Sequence, residues 1–204
     1  SFLRQTDFTH PCTERNLSIK IPEYITGPYA VGTENFTIVD QERTEILGPG
    51  EGPRKITVRM YYPTDKVNVI NLEKADIFTE RKLQGLSKAF HFNSKKIDPE
   101  LLKGDYYEGV AHVENQKFPL VVYNHGYNAY VEANTFLCCE MASNGYIVAS
   151  VGHAYEAIAN EYEDGTYDEY DKNINKIKFI DLENLFNSQT LILAIETYCM
   201  LNDI

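Results

Sequence analysis

Two histidines stand where short apolar runs stop. Phe118-Pro119-Leu120-Val121-Val122-Tyr123 ends in Asn124-His125-Gly126, and Tyr146-Ile147-Val148-Ala149-Ser150-Val151 ends in Gly152-His153. Histidine changes charge near neutral pH and is the side chain most often used to move a proton during a reaction. To act on an acyl group it needs an activated hydroxyl and donors for the oxyanion that forms. A serine nucleophile of that kind commonly sits in Gly-x-Ser-x-Gly between a strand and a helix. The motif is absent: Ser87, Ser94, Ser143, Ser150 and Ser188 all lack the flanking glycine pair.

Metal chemistry has less support. Cys12, Cys138, Cys139 and Cys199 form no Cys-x-x-Cys pair, which argues against zinc. Cys138 and Cys139 are adjacent, so on a helix they point in different directions and at least one packs as a small hydrophobe. The acids between 160 and 171 are Glu161, Glu163, Asp164, Asp168, Glu169 and Asp171. Hard cations take several oxygen ligands, but this spacing departs from a calcium-loop pattern, so the stretch reads as a solvated loop. Tyr162, Tyr167 and Tyr170 among these acids would suit a lid or a lipid-contacting edge.

The elements that must carry the histidines are legible from pattern. The apolar runs at 118–123 and 146–151 suit strands buried on both faces. Between them a helix is expected over 131–143, capped by Asn144-Gly145. Strand–helix–strand in that order predicts an adjacent, parallel, central pair with a right-handed crossover. Upstream, 30–40 is strand-like and Lys55–Tyr62 alternates cleanly, so an antiparallel pair is expected at the sheet's edge. Ile77, Phe78, Leu83, Leu86 and Phe90 fall at roughly helical spacing, 106–114 includes a short extended piece, and one long final helix or two are expected over 174–201.

Composition narrows the partners. The 204 residues include 30 acids against 19 basic residues, a net charge of −11, which argues against a nucleic-acid partner and against docking on anionic lipid. Apolar residues make up 43%, with 15 tyrosines and no tryptophan, as expected of a packed domain. There is no run of eighteen apolar residues to span a membrane. No compartment is readable, with a secreted or envelope location placed ahead of a cytoplasmic one.

Several segments together resemble a known family. Gly27-Pro28-Tyr29-Ala30-Val31-Gly32, Arg59-Met60-Tyr61-Tyr62-Pro63, Gly85-Leu86-Ser87-Lys88 and the stretch from Phe118 through His125-Gly126 to Gly145-Tyr146 occur in the order found in platelet-activating factor acetylhydrolases. The resemblance covers most of residues 21–155. It implies an α/β-hydrolase fold, here its N-terminal part, with central parallel strands and antiparallel edge strands. The expected division is an irregular arm over 1–28 and a single domain over 29–204 that stops before the nucleophile elbow. It further implies a carboxylic ester hydrolase with a serine nucleophile, acting on a short-acyl phospholipid or related small-molecule ester without cofactor or metal.

The same resemblance assigns the turn. The backbone N–H of Tyr127 would be an oxyanion-hole donor, Gly126 would allow the turn, and His125 would support the loop rather than act as base. His153 would line the pocket or serve as loop support. Nucleophile, acid and base are expected after Ile204, leaving this chain alone inactive. A non-catalytic binding protein on the same scaffold is the competing reading. An unpaired edge on strand 146–151 would invite self-association.

Overall fold

The computed structural model describes residues 25–50, 52–126 and 128–172. The elements in chain order are strands β1 (Ala30–Thr44) and β2 (Pro53–Thr64), helix α1 (Glu80–Phe90), strands β3 (Tyr107–Glu108) and β4 (Leu120–Asn124), helix α2 (Thr135–Ser143), and strands β5 (Ile147–Val151), β6 (Ala159–Glu161) and β7 (Tyr167–Glu169). Three short 3-10 turns lie in the connections on either side of α1. The first five strands form one sheet in the order β3-β1-β2-β5-β4, and β6 pairs with β7 as a separate hairpin.

Alternation in β2 divides the sheet into two faces, because successive side chains point to opposite sides. Ile56, Val58, Met60 and Tyr62 pack with Phe36, Ile147, Ala149 and Val151 on one face. On the other face, Tyr61 joins Val31, Tyr106 and Val148 beneath Cys138, Cys139 and Ala142 of α2. Both cysteines are free and buried. Burial pushes the Cys138 thiol up to about 11 and that of Cys139 well above its ordinary value. Their reactive thiolate forms are suppressed accordingly.

The two apolar runs are adjacent and parallel as expected, with Leu120 opposite Ile147 and Asn124 opposite Val151. Their placement needs a correction. β5 pairs on its second side with β2, from Val58 opposite Val151 to Tyr61 opposite Val148. β2 is therefore interior rather than an edge strand, and strand 146–151 has neighbours on both sides. Among the described residues β4 forms one outer limit of the sheet and β3 the other. Burial follows this placement, complete along β5 and partial along β4. The expected final helix, residues 1–24 of the expected arm, and Tyr127 lie outside the described residues.

α2 begins at Thr135 instead of 131, because the preceding residues are committed elsewhere: Val131 O accepts from Ser150 Oγ at 2.7 Å, and the Glu132 side chain turns toward Lys82. The helix ends as expected, with Gly145 at φ +89°, a conformation costly for any other residue. Its last turn is sealed by the chain's own N-terminal side. Thr26 N–H donates to Glu140 Oε2 at 2.8 Å, Gly27 N–H to Ser143 Oγ at 3.2 Å, and Tyr29 N–H to Ser143 O at 3.2 Å. These bonds satisfy a carbonyl that a helix end otherwise leaves open. No helix among the described residues is long and apolar enough to cross a membrane.

The approach at Gly27 is close enough to test. A Cβ there would lie 1.9 Å from Ser143 O, which is backbone and cannot swing aside. Gly27→Ala is expected to destabilise by about 1–3 kcal/mol, read as a lower urea midpoint. Gly85→Ala, in α1 where a Cβ meets nothing within 4 Å, is expected to raise the midpoint through better helix propensity.

Candidate functional site

The parallel register of β4 and β5 brings their carboxyl ends to one level, the edge of an α/β sheet where ligands bind. There the rings of His125 and His153 lie against each other, centroids 4.4 Å apart and planes 34° apart. His125 is buried, and its Nδ1 is 2.9 Å from Gly126 O. A carbonyl can only accept, so Nδ1 carries the proton and donates. Nε2 is left as the acceptor end, buried and without a partner among the described residues. Burial lowers the His125 pKa, the neighbouring His153 lowers it further, and the bond to Gly126 acts in the opposite direction. The surroundings favour the neutral form of the ring.

His153 lies between two oxygens. Its Nδ1 is 3.1 Å from Glu156 Oε2, and its Nε2 is 3.2 Å from Asn124 Oδ1. The bond from His153, opposed by burial, holds the Glu156 carboxyl below the ordinary glutamate value. The spacing His153-x-x-Glu156 was available in the sequence; the partnership with Asn124 was not, since it depends on strand register.

The loop after β4 is fastened along its length. Gly126 O accepts a second bond, from Ala129 N–H at 3.0 Å, across a turn whose left-handed residue is Asn128 at φ +55°. Gly126 has no such φ, and a Cβ on it would meet nothing within 4 Å among the described residues. Ile158 N–H donates to Ala129 O at 2.9 Å. Glu132 then turns inward, where Lys82 Nζ reaches its two carboxylate oxygens at 2.8 and 2.9 Å and Arg59 Nη1 approaches Oε1 at 3.5 Å. All three residues are buried.

Lys82 is delivered by α1, which starts when Thr79 Oγ1 accepts from Lys82 N–H at 3.1 Å. Arg59, from β2, also donates to Ile77 O at 3.0 Å and Tyr106 OH at 2.9 Å. Burial opposes the charge on Arg59, but these surroundings outweigh it and the pKa is raised.

A cleft of about 460 Å³ opens over this cluster. Arg59, Lys82 and Glu132 line it together with Phe36, Phe78, Val131 and Tyr162, and Glu80, Glu108, Glu161 and Glu163 bring acidic groups to it.

One side of the cleft comes from the acidic stretch, which is a hairpin rather than a loop: Glu163, Asp164 and Glu169 are exposed as expected, whereas Asp168 is buried. Residues 159–169 form the β6–β7 hairpin, with Asn160, Tyr162 and Asp168 buried. Asp168 is enclosed because its oxygens are fully engaged. Oδ1 accepts from Tyr155 N–H at 2.9 Å and Asn160 Nδ2 at 3.0 Å, and Oδ2 accepts from Tyr162 OH. The hairpin tip docks on the sheet, where Glu163 Oε2 accepts from Thr37 N–H at 2.7 Å and Lys55 pairs with Asp164. Tyr162 is therefore packed inward rather than free to act as a lid.

Three of the candidate serines have structural bonds. Ser87 Oγ donates to Phe92 O at 2.6 Å, Ser143 Oγ to Glu140 O at 2.8 Å and Ser150 Oγ to Val131 O at 2.7 Å, so each has a structural bond. Ser188 and Tyr127 lie outside the described residues.

A mixed sheet with parallel strands ending in a pinned loop beside a cleft, and helices packed on it, is the α/β-hydrolase arrangement. It is shared with the solved structure of a ferulic acid esterase from Streptomyces cinnamoneus, at a TM-score of 0.55 and 26% identity over 71% of this chain and 39% of the esterase. The profile of platelet-activating factor acetylhydrolase, isoform II, matches residues 14–193, and the chain belongs to that family. It is 40% identical to the platelet-activating factor acetylhydrolase of Gallus gallus over 47 residues. That match covers 23% of this chain and only 11% of the chicken protein.

Two consequences are measurable. Glu132→Ala leaves two buried cations without their carboxylate and is expected to cost about 3–5 kcal/mol in denaturant unfolding, whereas a surface pair rarely exceeds about 1 kcal/mol. The second concerns Asp168, whose carboxyl burial pushes above its ordinary value despite the opposing bonds from Tyr162, Tyr155 and Asn160. An acid with a raised folded-state pKa stabilises the fold while protonated, and loses that contribution as pH climbs from about 4, the unfolded value, through the folded one. Asp168→Asn stands in for the protonated acid. The variant's stability relative to the parent is expected to improve as pH rises through that window and then to level off.

Proposed function

We propose that the protein is a carboxylic ester hydrolase acting on short-acyl phospholipids or related small esters through a serine nucleophile. Within it, this chain supplies the oxyanion turn. Membership of the acetylhydrolase family and the likeness to an esterase support the reaction class. The observation that carries the reading is the Gly126 carbonyl, held at once by His125 Nδ1 and Ala129 N–H. A trans peptide is planar, so a carbonyl and the N–H that follows it point in opposite directions. By the family's pattern the donor assigned to this turn is the N–H of Tyr127, and a donor set in place before the reaction is what stabilises a developing oxyanion.

In this reading His125 holds the turn, and its buried, neutral ring suits that task better than proton transfer. His153 packs against it, and neither histidine is among the residues that line the cleft over Glu132. The 204 residues contain no Gly-x-Ser-x-Gly, and in this reading the nucleophile, with the acid and base that follow it in the family's order, is supplied from outside them.

The experiment compares hydrolysis of a chromogenic acetate by the full-length protein and by the 204-residue chain, each of confirmed mass, with a serine-reactive phosphonate as control. Phosphonate-sensitive turnover by the full-length protein alone is expected. Its absence there would remove the esterase reading and leave a binding role on the same scaffold. Phosphonate-sensitive turnover by the chain would place a nucleophile among its own serines.

A further inference from the structure

We propose that His153 is a positioning residue for the Gly126 turn, braced by Glu156 and Asn124 and acting on the turn through the ring of His125. The inference rests on the reading of that turn as the oxyanion donor, and adds the groups that set its direction.

The argument begins with what holds His125. Of its two ring nitrogens, Nδ1 is bonded to the carbonyl of the next residue, and Nε2 is buried without a partner among the described residues. A single bond to an adjacent carbonyl leaves the ring able to turn about its own axis. His125 is buried, and the ring packed against its face is that of His153, with centroids 4.4 Å apart.

His153 can serve as a stop because it is fixed from several directions. Glu156 Oε2 faces Nδ1 from the turn after β5, and Asn124 Oδ1 faces Nε2 from the end of β4. Its backbone oxygen accepts from Glu156 N–H at 3.2 Å, Ala157 N–H at 3.1 Å and Asn160 Nδ2 at 2.8 Å. Asn160 is itself buried and bonded to Asp168. The sequence of contacts runs from the hairpin through His153 and His125 to Gly126 O. His153 acts through another side chain and is not itself a catalytic residue.

The test uses the intact protein labelled with 15N in its histidines. Imidazole 15N shifts report which nitrogen carries the proton, and steady-state kinetics with the chromogenic acetate report turnover. In the unaltered protein His125 is expected as the pure Nδ1–H tautomer. In His153→Ala its signals are expected to move toward a mixture of tautomers, with kcat lower by about 10- to 100-fold and KM within about twofold.

Glu156→Gln keeps the ring and weakens its brace. It is expected to move both readouts the same way by less, and it remains informative should His153→Ala fail to fold. A pure Nδ1–H tautomer at His125 in every folded variant overturns the proposal. So does a raised KM with unchanged kcat, which would make His153 a substrate contact. A tautomer shift in a protein whose parent form shows no ester turnover supports the positioning role and removes the esterase reading instead.

Discussion

A carboxylate can stay charged away from water only if cations share its burial, and Glu132 has two. Its position constrains everything around the cleft. Lys82 must arrive from α1, so that helix is held against the loop after β4. Arg59 must arrive from β2, and its remaining donors reach the segment before α1 and the Tyr106 ring. One ionic cluster thus joins the hairpin half of the sheet to the parallel half and fixes where the loop can run. Replacing such a cluster with apolar groups can match it in stability. Apolar groups would not supply the same register, because a bidentate contact admits few positions while packed methyl groups admit many.

The two faces of the sheet have different tasks. One is a continuous apolar surface from Phe36 through Val58 to Ala149 and Val151. The opposite face is apolar beneath α2 and becomes polar toward Thr57 and Arg59, where the cleft lies. The change occurs within β2, whose residues Arg59 and Tyr61 are two apart and share a side. Tyr61 OH bonds Thr135 Oγ1 at 2.9 Å at the start of α2, whereas Arg59 faces Glu132, so one strand supports both the helix and the loop leading into it.

What could be read in the chain was what depends on local pattern. The apolar runs at 118–123 and 146–151 and the alternation through Lys55–Tyr62 showed strand and helix order, because burial on one or two faces leaves a periodic trace. Strand neighbours were less legible. Val58 meets Val151 through pairing that no local signal encodes, and so β5 rather than β4 is enclosed on both sides. The acidic stretch misled for a related reason. Asp168 and Asn160 are polar and yet buried, and their burial becomes affordable only when Tyr155, Tyr162 and His153 supply partners from other turns. Of the site, the His-Gly turn announced itself, whereas Asn124, Glu132 and Lys82 acquired their roles through register and docking.

The β2–β5 pairing has a bearing on how the chain assembles. β1 and β2 pair through a hairpin, and β4 and β5 through a single crossover helix, so each half of the sheet can form among residues near in sequence. The four pairs from Val58–Val151 to Tyr61–Val148 join the halves, and they close a far longer loop, whose entropy must be overcome before any contact rewards it. Glu132 meets Lys82 and Arg59 across the same seam. The cleft therefore lies on the joint between two halves that are each local in sequence, and only their pairing brings Arg59 to Glu132 and Lys82.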